Sequence, residues 1–277
     1  MTIKEAINLA HKCNLNTIEA RSLLKYIFNK DDSYIIVNIE NNINKSEERQ
    51  FIEYIDKIKN GYPLQYITNM QEFMGLKFYV NDKVLIPQPD TEILVLNAIN
   101  YINHKVVNTK KKERIKVLDL CTGSGAIAIS LKKFLNENVE IVASDISKEA
   151  LEIAVKNSNY HNVNINFICS NMFEQINEHF DLIVSNPPYI KRKDIKKLPR
   201  EVQKEPHIAL DGGIDGLDYY RIIKKDVEGH LNDDGIVMME IGYDQKCDIQ
   251  KIFPNSTCIK DMENRDRVII WNPFQVR

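Results

Sequence analysis

The hydrophobic pattern of the first 60 residues is helical. Asn16 and Glu19 have the spacing of a capping box, and the apolar residues behind them recur every three or four positions, as on one face of a helix. These residues are Ala20, Leu23, Leu24, Ile27 and Phe28. Ser46 is predicted to begin another helix, and Gly61 is placed to end it. Its apolar face consists of Phe51, Ile52, Ile55 and Ile58, and the two faces together predict a small helical bundle.

The pattern then changes from a helical to an alternating period. Residues 73–86 contain two short apolar runs separated by Asn81–Asp82, which predicts a hairpin that turns at this pair. Residues 86–92 read Ile-Pro-Gln-Pro-Asp-Thr-Glu, and the two prolines force an extended path. Asp90 or Thr91 is placed to cap the following helix. We interpret this segment as a connector between domains.

From residue 115 onward, near-continuous apolar runs alternate with helical segments. The predicted strands are 115–120, 139–144, 165–168, 181–185, 236–241 and 267–271. Such alternation indicates a parallel sheet that is covered by helices on both faces. The predicted organisation is a helical domain over residues 1–72, a hairpin connector over 73–90 and an α/β domain over 91–277.

Glycine and proline are scarce in this chain and unevenly placed. Only 10 Gly and 9 Pro occur in 277 residues, below the average usage of about 7% and 5%. Nearly half of them lie in four short clusters, at Pro87 and Pro89, Gly123 and Gly125, Pro187 and Pro188, and Gly212, Gly213 and Gly216. These clusters are therefore the first candidates for functional loops.

Charge argues against a nucleic-acid substrate. Lys and Arg total 37 against 39 Asp and Glu, which leaves a formal charge of −2 and no basic excess for a phosphate backbone. A local basic run, Lys191–Lys197, follows one of the proline clusters. We interpret this run as a solvated loop; the alternative is a basic surface that binds a substrate protein.

Cysteine usage and the N-terminus indicate a cytoplasmic protein. The five cysteines are odd in number and form no C-x-x-C pair, so we expect buried, reduced thiols and no metal site. The chain begins without an apolar segment of signal-peptide length, and no apolar run approaches the 18 residues or so of a membrane span. We therefore expect no membrane association.

The first chemical motif is a glycine-rich turn between a strand and a helix. Asp119-Leu-Cys-Thr-Gly123-Ser-Gly125-Ala-Ile-Ala128 fits the dinucleotide fingerprint, in which glycines admit a ligand to the helix N-terminus. Asp145 ends the next strand, twenty residues beyond Gly125, where an acid that binds a ribose is expected. The alternative for Asp145 is an ordinary helix N-cap. The motif predicts a nucleotide-type cofactor.

The second motif is Asn186-Pro187-Pro188-Tyr189 at the end of a buried strand. The prolines stiffen the turn and have no N–H, so the Asn186 side-chain oxygen and the Pro187 carbonyl are left as fixed acceptors. Two such acceptors match the two hydrogens of an –NH2 group. Tyr189 offers a flat face for a planar amide or base.

These motifs resemble class I S-adenosylmethionine-dependent methyltransferases, whose fold is a Rossmann-like, seven-stranded, mostly parallel sheet. The members with Asn-Pro-Pro-Tyr include adenine-N6 and glutamine-N5 enzymes. Further segments resemble the release factor glutamine methyltransferases, the PrmC/HemK family, over nearly the whole chain. They are residues 63–67, 72–75, 86–92, 205–206, 209–217, 240–242 and 265–267.

The resemblance implies a set of site residues and a substrate. The implied binding residues for S-adenosylmethionine, and for its product S-adenosylhomocysteine, are Cys121, Thr122, Gly123, Ser124, Gly125, Asp145, Asn171, Met172 and Asn186. Asn186, Pro187, Pro188 and Tyr189 would hold the substrate, with Asn186, Pro187 and Tyr189 as the catalytic residues. The implied substrate is the glutamine of the Gly-Gly-Gln motif in class 1 peptide chain release factors, gripped by the helical domain.

The chain departs from the family pattern at three positions. Gln88 replaces a usual Arg, Cys121 replaces the first glycine of the cofactor loop, and Asn171 stands where an acid often contacts adenine. Asn171 can still accept a hydrogen bond from the adenine amino group, and Met172 and Phe173 are placed to pack on the ring.

Four alternatives remain open on the sequence. A glutamine methyltransferase of a ribosomal protein would use the same motifs, and an adenine-N6 nucleic-acid methyltransferase would need base flipping and a basic groove. A nicotinamide-dependent oxidoreductase would share Gly123, Gly125 and Asp145 but leaves Asn-Pro-Pro-Tyr unexplained. A non-catalytic interaction protein would leave both motifs without a role.

Overall fold

The computed structural model describes residues 1–108 and 114–274. They divide into two compact units. The first, called the helical unit, comprises Met1–Met70 and Leu198–Lys204. The second, called the α/β unit, contains the other described residues, in two stretches that begin at Gln71 and at Glu205.

The helical unit consists of short helices around a small apolar core. Its helices are α1 Ile3–His11, α2 Thr17–Phe28, α3 Asp32–Val37, α4 Lys45–Lys59 and α5 Leu64–Thr68. The predicted capping box is present, because Asn16 Oδ1 accepts from the Glu19 N–H while Glu19 accepts from the Asn16 N–H. Leu23 and Leu24 of α2 and Phe51 of α4 are fully buried together.

The second amphipathic helix, α4, begins at Lys45, one residue before the predicted start at Ser46. Asn44, not Ser46, caps α4: its side chain accepts from the Glu47 N–H, and Glu47 accepts from the Asn44 N–H. Asparagine is as good an N-cap as serine, and the reciprocal bond to Glu47 decides between them. Gly61 follows the end of the helix with a φ of +80°, which glycine adopts most readily.

The predicted hairpin also turns elsewhere. Strands β1 Met70–Phe73 and β2 Leu76–Tyr79 pair with each other, and the turn is Met74–Gly75, not Asn81–Asp82. Both turn residues have positive φ, 53° and 68°, as the tight hairpin turn that matches strand twist requires. Methionine is unusual in this conformation, so the sequence signal was weak.

The segment after the hairpin leads through a 3₁₀ turn, Pro89–Thr91, into helix α6 Glu92–Asn108. Neither Asp90 nor Thr91 caps a helix by its side chain, contrary to the prediction. Asp90 instead forms an ion pair with Arg267, 2.8 Å between carboxylate and guanidinium. Thr91 is buried and receives a hydrogen bond from Asn186.

The α/β unit is built on a seven-stranded sheet. The strands are β3 Ile115–Leu120, β4 Val139–Asp145, β5 Asn166–Cys169, β6 Phe180–Ser185, β7 Leu231–Glu240, β8 Thr257–Lys260 and β9 Asp266–Trp271. Their order is β5-β4-β3-β6-β7-β9-β8, with β3 to β7 parallel and β9 antiparallel to both neighbours. This confirms the predicted mostly parallel α/β fold, although β8 was missed because Thr-Cys-Ile-Lys is polar at both ends and forms no apolar run.

Helices cover both faces of this sheet. The remaining α-helices of the described chain are α7 Ala126–Phe134, α8 Lys148–Tyr160, α9 His207–Leu210, α10 Asp218–Asp226 and α11 Lys246–Ile252. One apolar core contains Leu94 and Ile129, and the other contains Tyr220 and Phe253. No helix within residues 1–108 and 114–274 is long and apolar enough to cross a bilayer.

The strand order places the site. The chain runs outward from β3 to β5 and then returns to add β6 on the other side of β3. The carboxyl ends of β3 and β6 therefore flank the point at which the order reverses, where open α/β sheets bind ligands. Both predicted motifs follow these two strands directly.

The cysteine side chains were predicted to be buried, and this prediction was wrong. All five thiols are free, but Cys169 and Cys247 are exposed and the other three are only partly buried. Cys169 ends the edge strand β5, and Cys247 lies in the first turn of α11.

Candidate active site

A cleft opens at the carboxyl ends of β3, β4 and β6. Its volume is about 710 Å³, counting the part that is open to solvent. The predicted site residues that line it are Cys121, Gly123, Asp145, Asn171, Met172, Asn186 and Pro188. Residues from four separate segments of the sequence thus meet in one cavity.

The glycine-rich turn forms one wall through its backbone. Gly123 and Gly125 have φ angles of 54° and 81°, in the left-handed region that favours glycine. A side chain at Gly125 would also approach Ile129 and Ala154 to about 3 Å, so this position needs glycine on two counts. Cys121, which replaces a glycine of the family pattern, has a φ of 64° and therefore carries backbone strain.

Asp145 fixes this turn from the neighbouring strand. Its carboxylate accepts from the Gly123 N–H at 2.8 Å and from the Ser147 N–H at 2.9 Å. Helix α8 is capped by Ser147, whose hydroxyl accepts from Ala150, so the N-cap alternative for Asp145 was wrong. Burial raises the pKa of Asp145, against the opposing effect of the backbone N–H groups. Each carboxylate oxygen keeps a lone pair for a ligand hydroxyl.

Five of the predicted site residues do not line the cleft. They are Thr122, Ser124, Gly125, Pro187 and Tyr189. Thr122 donates its hydroxyl to Asp119 at 2.6 Å, and the Ser124 carbonyl accepts from Asn157 at 2.9 Å. These two residues stabilise the turn through these hydrogen bonds and are not part of the cleft lining.

Asn171 and Met172 line the cleft just beyond the end of β5. The Asn171 amide donates to Glu174 at 2.7 Å, which leaves its oxygen as an acceptor. Met172 is buried with its sulfur 3.9 Å from the Cys121 thiol. Phe173, which was expected to pack on a bound ring, is instead stacked on His230 with 4.7 Å between ring centroids.

Asn186 has a defined orientation. Its Nδ2 donates to the Thr91 hydroxyl oxygen at 3.2 Å, and Thr91 is only 4% exposed. Because the amide nitrogen is committed to Thr91, Oδ1 is the free acceptor of Asn186 on the cleft side. Gln88, another departure from the family pattern, folds back onto the Ile86 carbonyl.

Tyr189 is oriented by a buried carboxylate. Its hydroxyl donates to Glu240 at 3.2 Å, and Glu240 is buried at the end of β7. Burial raises the pKa of Glu240 to about 7, and the positive charge of Arg267 partly opposes this rise. Burial likewise raises the pKa of the Tyr189 hydroxyl, so it stays protonated as a donor.

Three parts of the cleft wall were not predicted from the sequence. Residues 83–85 follow the hairpin, Pro206 and Ile208–Ala209 belong to the segment around α9, and Tyr219 lies on α10. Glu205, beside this wall, accepts from the Ile86 N–H at 2.8 Å, and burial raises its pKa to about 7. No periodicity marks these residues. The only signal was the resemblance of residues 205–206 and 209–217 to the family.

The basic run after Tyr189 is largely neutralised. Lys191 faces Asp244 at 3.6 Å, Arg192 pairs with Asp211 at 2.8 Å, and Lys197 pairs with Asp194. Exposed pairs of this kind contribute little stability, but they reduce the positive field available to a partner. The run therefore has less free charge than its composition suggests.

Asp119 under the glycine turn makes stability depend on pH. Burial raises its pKa from 3.8 to about 7, and Oδ1 has no hydrogen-bond partner within the described chain. A carboxyl whose pKa is higher in the folded state contributes to the free energy of unfolding in its protonated form. Its contribution is fully present below pH 3.8 and is lost as the pH rises through about 7.

Asp119→Asn should therefore gain stability relative to the wild type as pH rises. Between pH 5 and 8 the difference in unfolding free energy should shift by about 2 kcal/mol in favour of the variant. Urea unfolding of both proteins without cofactor measures this shift. A difference that stays constant with pH would contradict the assignment.

Comparisons with known proteins identify the family. The PrmC N-terminal domain model matches residues 5–68, and the methyltransferase small domain model matches residues 104–207. The release factor glutamine methyltransferase of Clostridium acetobutylicum is 38% identical, over 98% of this chain and 98% of that protein. That of Clostridium botulinum is 41% identical, over 91% of this chain and 90% of its own. The chain belongs to the release factor glutamine methyltransferase family.

A solved structure supports the fold of this family member. A methyltransferase from Pyrococcus furiosus covers 80% of this chain and 96% of its own, with a TM-score of 0.52 and 19% sequence identity. At this identity the likeness concerns the fold alone.

The described residues contain no cluster of His, Cys, Asp and Glu side chains suited to hold a metal ion.

Proposed function

We propose that this chain transfers a methyl group from S-adenosylmethionine to the side-chain amide nitrogen of the glutamine in the Gly-Gly-Gln motif of class 1 peptide chain release factors. The observation that carries the proposal is the orientation of Asn186 at the cleft. Its nitrogen is committed to Thr91, so its oxygen is the fixed acceptor for an –NH2 group. The substrate follows from the names of the relatives.

The cleft fits S-adenosylmethionine by its donor and acceptor groups. The glycine turn offers its backbone at close range, and Asp145 offers carboxylate lone pairs to the ribose hydroxyls. The free Asn171 oxygen suits the adenine amino group, with Met172 as an apolar contact for the ring. When bound, this cofactor supplies a methyl group on a positively charged sulfur, and S-adenosylhomocysteine is the product.

The protein's task in the reaction is to orient a weak nucleophile. The lone pair of an amide nitrogen is delocalised into its carbonyl, so the nitrogen attacks only when it is held on line with the methyl carbon. Asn186 Oδ1 at the cleft would accept one amide hydrogen, and the Pro187 carbonyl, the second predicted acceptor, would accept the other, which would orient the nitrogen for transfer. Pro187 and Pro188 stiffen the turn that carries both acceptors.

No strong base is required of the protein. The new N–C bond would replace the bond between the methyl carbon and the cofactor sulfur, which leaves as a neutral thioether. The nitrogen would then be cationic and very acidic, so it can lose its proton without a His or carboxylate as base. Tyr189 supports the turn from outside the cleft lining, with its hydroxyl held by Glu240.

Incubation with labelled S-adenosylmethionine and separately purified substrates tests the proposed function. The substrates are a class 1 release factor, the same factor with its Gly-Gly-Gln glutamine replaced, ribosomal proteins and DNA. We expect label only on the intact release factor. Label on the glutamine variant, on ribosomal proteins alone or on DNA alone would overturn the choice of substrate.

We further propose that the helical unit recognises the release factor outside its Gly-Gly-Gln loop. A chain that begins at Met70 lacks the five helices but keeps both strands of the hairpin. Its kcat/KM for the whole release factor should fall on the order of 30-fold, because contacts remote from the reacting glutamine are lost. Its kcat/KM for a short Gly-Gly-Gln peptide should stay within about threefold.

The control for this truncation is calorimetric binding of S-adenosylmethionine, which shows whether the shortened chain is folded. An equal loss of activity on protein and peptide, in a chain that still binds cofactor, would contradict recognition by the helical unit.

A further inference from the structure

The Gly212–Gly216 cluster has no role in the chemistry described above, yet it packs directly behind the catalytic turn Asn186–Tyr189. Ile190 and Asp211 form a parallel β-bridge. The Ile190 N–H donates to the Leu210 carbonyl at 3.0 Å, and the Gly212 N–H donates to the Ile190 carbonyl at 2.9 Å. The backbone that leaves the catalytic turn is thus paired with the glycine cluster.

The turn needs such support because of its prolines. Pro187 and Pro188 have no N–H, so this part of the backbone has few donors with which to anchor itself. It is held instead through its carbonyls and through the residues that follow. Arg192 continues the pairing, with its N–H donating to the Gly213 carbonyl at 2.8 Å.

Gln245 ties the two segments together from a third direction. Its Nε2 donates to the Tyr189 carbonyl at 2.9 Å and to the Gly216 carbonyl at 3.1 Å, while its Oε1 accepts from the Gly242 N–H at 2.9 Å. The side chain is 4% exposed, so these bonds are made away from water. A buried amide that uses both hydrogens on carbonyls is specific for glutamine at this position.

The two outer glycines of the cluster are required by contact. A Cβ at Gly212 would lie 2.7 Å from Tyr189 Cα and 2.8 Å from the Pro188 carbonyl oxygen. A Cβ at Gly216 would lie 2.5 Å from the Tyr189 carbonyl oxygen. Both clashes fall on the backbone of the catalytic turn, which cannot move aside without moving the acceptors at Asn186 and Pro187.

We propose that Gly212, Gly216 and Gln245 are positioning residues that hold the Pro188–Ile190 backbone, and thereby set the positions of the predicted acceptors, Asn186 Oδ1 and the Pro187 carbonyl. The proposal rests on the proposed methyl transfer. It assigns a role to the one glycine cluster that chemistry alone did not explain.

Gly212→Ala is the sharpest test, because no positive φ adds strain there and contact alone is changed. Its kcat should fall on the order of 30-fold, since a displacement of about 1 Å costs up to 10²-fold. The Kd for S-adenosylmethionine should stay within about twofold, because the cofactor wall is elsewhere. Gly229→Ala is the matched control, since a Cβ at Gly229 meets nothing within 4 Å.

Gln245→Glu provides a second variant if Gly212→Ala fails to fold. It keeps an oxygen for the Gly242 N–H and removes the two donors to the Tyr189 and Gly216 carbonyls. It should also lower kcat at unchanged cofactor affinity. Either folded variant with kcat within twofold of the wild type would overturn the proposal, as would a parallel loss of cofactor binding.

Hydrogen exchange separates this proposal from the proposed function. In both variants, amide exchange should quicken in a peptide covering residues 186–192 and stay unchanged in one covering β4, whatever substrate the enzyme uses. Unchanged exchange in 186–192 overturns the positioning role. If the wild type methylates no release factor while exchange quickens as expected, the proposed substrate alone fails.

Discussion

Asn186→Ala is expected to lower kcat about 10³-fold while the Kd for S-adenosylmethionine changes by less than about threefold. The variant loses the oxygen that orients the substrate amide, and a preorganised hydrogen bond of this kind is worth 10²–10³ in rate. It also releases the Thr91 hydroxyl, but Thr91 lies behind the turn and not on the cofactor wall. Steady-state kinetics with the release factor, together with calorimetry for the cofactor, measures both quantities.

Asn103→Ala is the control for this variant, because Asn103 is an exposed residue of helix α6. It should leave kcat and Kd unchanged. If Asn186→Ala loses cofactor binding and turnover in equal measure, Asn186 belongs to the cofactor site and the division of labour proposed above is wrong.

Asp145→Ala is expected to raise the Kd for S-adenosylmethionine about 10³-fold. The variant loses two charge-assisted hydrogen bonds to ligand hydroxyls, each worth roughly 1.5–3 kcal/mol. It also frees the Gly123 N–H, which Asp145 now holds at 2.8 Å, so the glycine turn becomes less ordered. Affinity for S-adenosylhomocysteine should fall equally, because both molecules carry the same ribose.

Asp233→Ala is the matched control, since Asp233 is an exposed acid at the start of β7. If the Kd of Asp145→Ala stays within about threefold of the wild-type value, Asp145 does not bind the cofactor and only accepts hydrogen bonds from Gly123 and Ser147. Because kcat at saturating cofactor should recover largely in Asp145→Ala but not in Asn186→Ala, the two variants separate binding from orientation.

Much of the fold is legible in local sequence. The apolar face from Ala20 to Phe28 predicted α2, and Asn16 with Glu19 predicted its cap. The apolar run Ile115–Leu120 coincides with β3. Both signals are periodic and extend over several residues, so local burial decides them. Strand β8 and the Met74–Gly75 turn were not predicted, because Thr-Cys-Ile-Lys forms no apolar run and methionine rarely adopts positive φ.

Part of the cleft is also legible in sequence. Glycine at 123 and 125, an acid at 145 and the Asn-Pro-Pro-Tyr turn are residue types whose backbone or side chain suits one task. They follow strands whose carboxyl ends meet at one edge of a parallel sheet, so their convergence was predictable. It was not predictable that Thr122, Ser124 and Tyr189 do not line the cleft, since neighbouring residues in a turn point in different directions.

By itself, then, the sequence determined the parallel sheet and the glycine turn and predicted the amide acceptor, because each depends on local period or on the conformational freedom of one residue. Only the tertiary structure decided that Thr91 orients Asn186 and that Gly212, Gly216 and Gln245 hold the turn behind it. These partners are separated from the turn by some 25 to 95 residues. Hydrogen bonds and close contacts over such separations leave no periodic trace in a single chain, so the folded backbone alone reveals them.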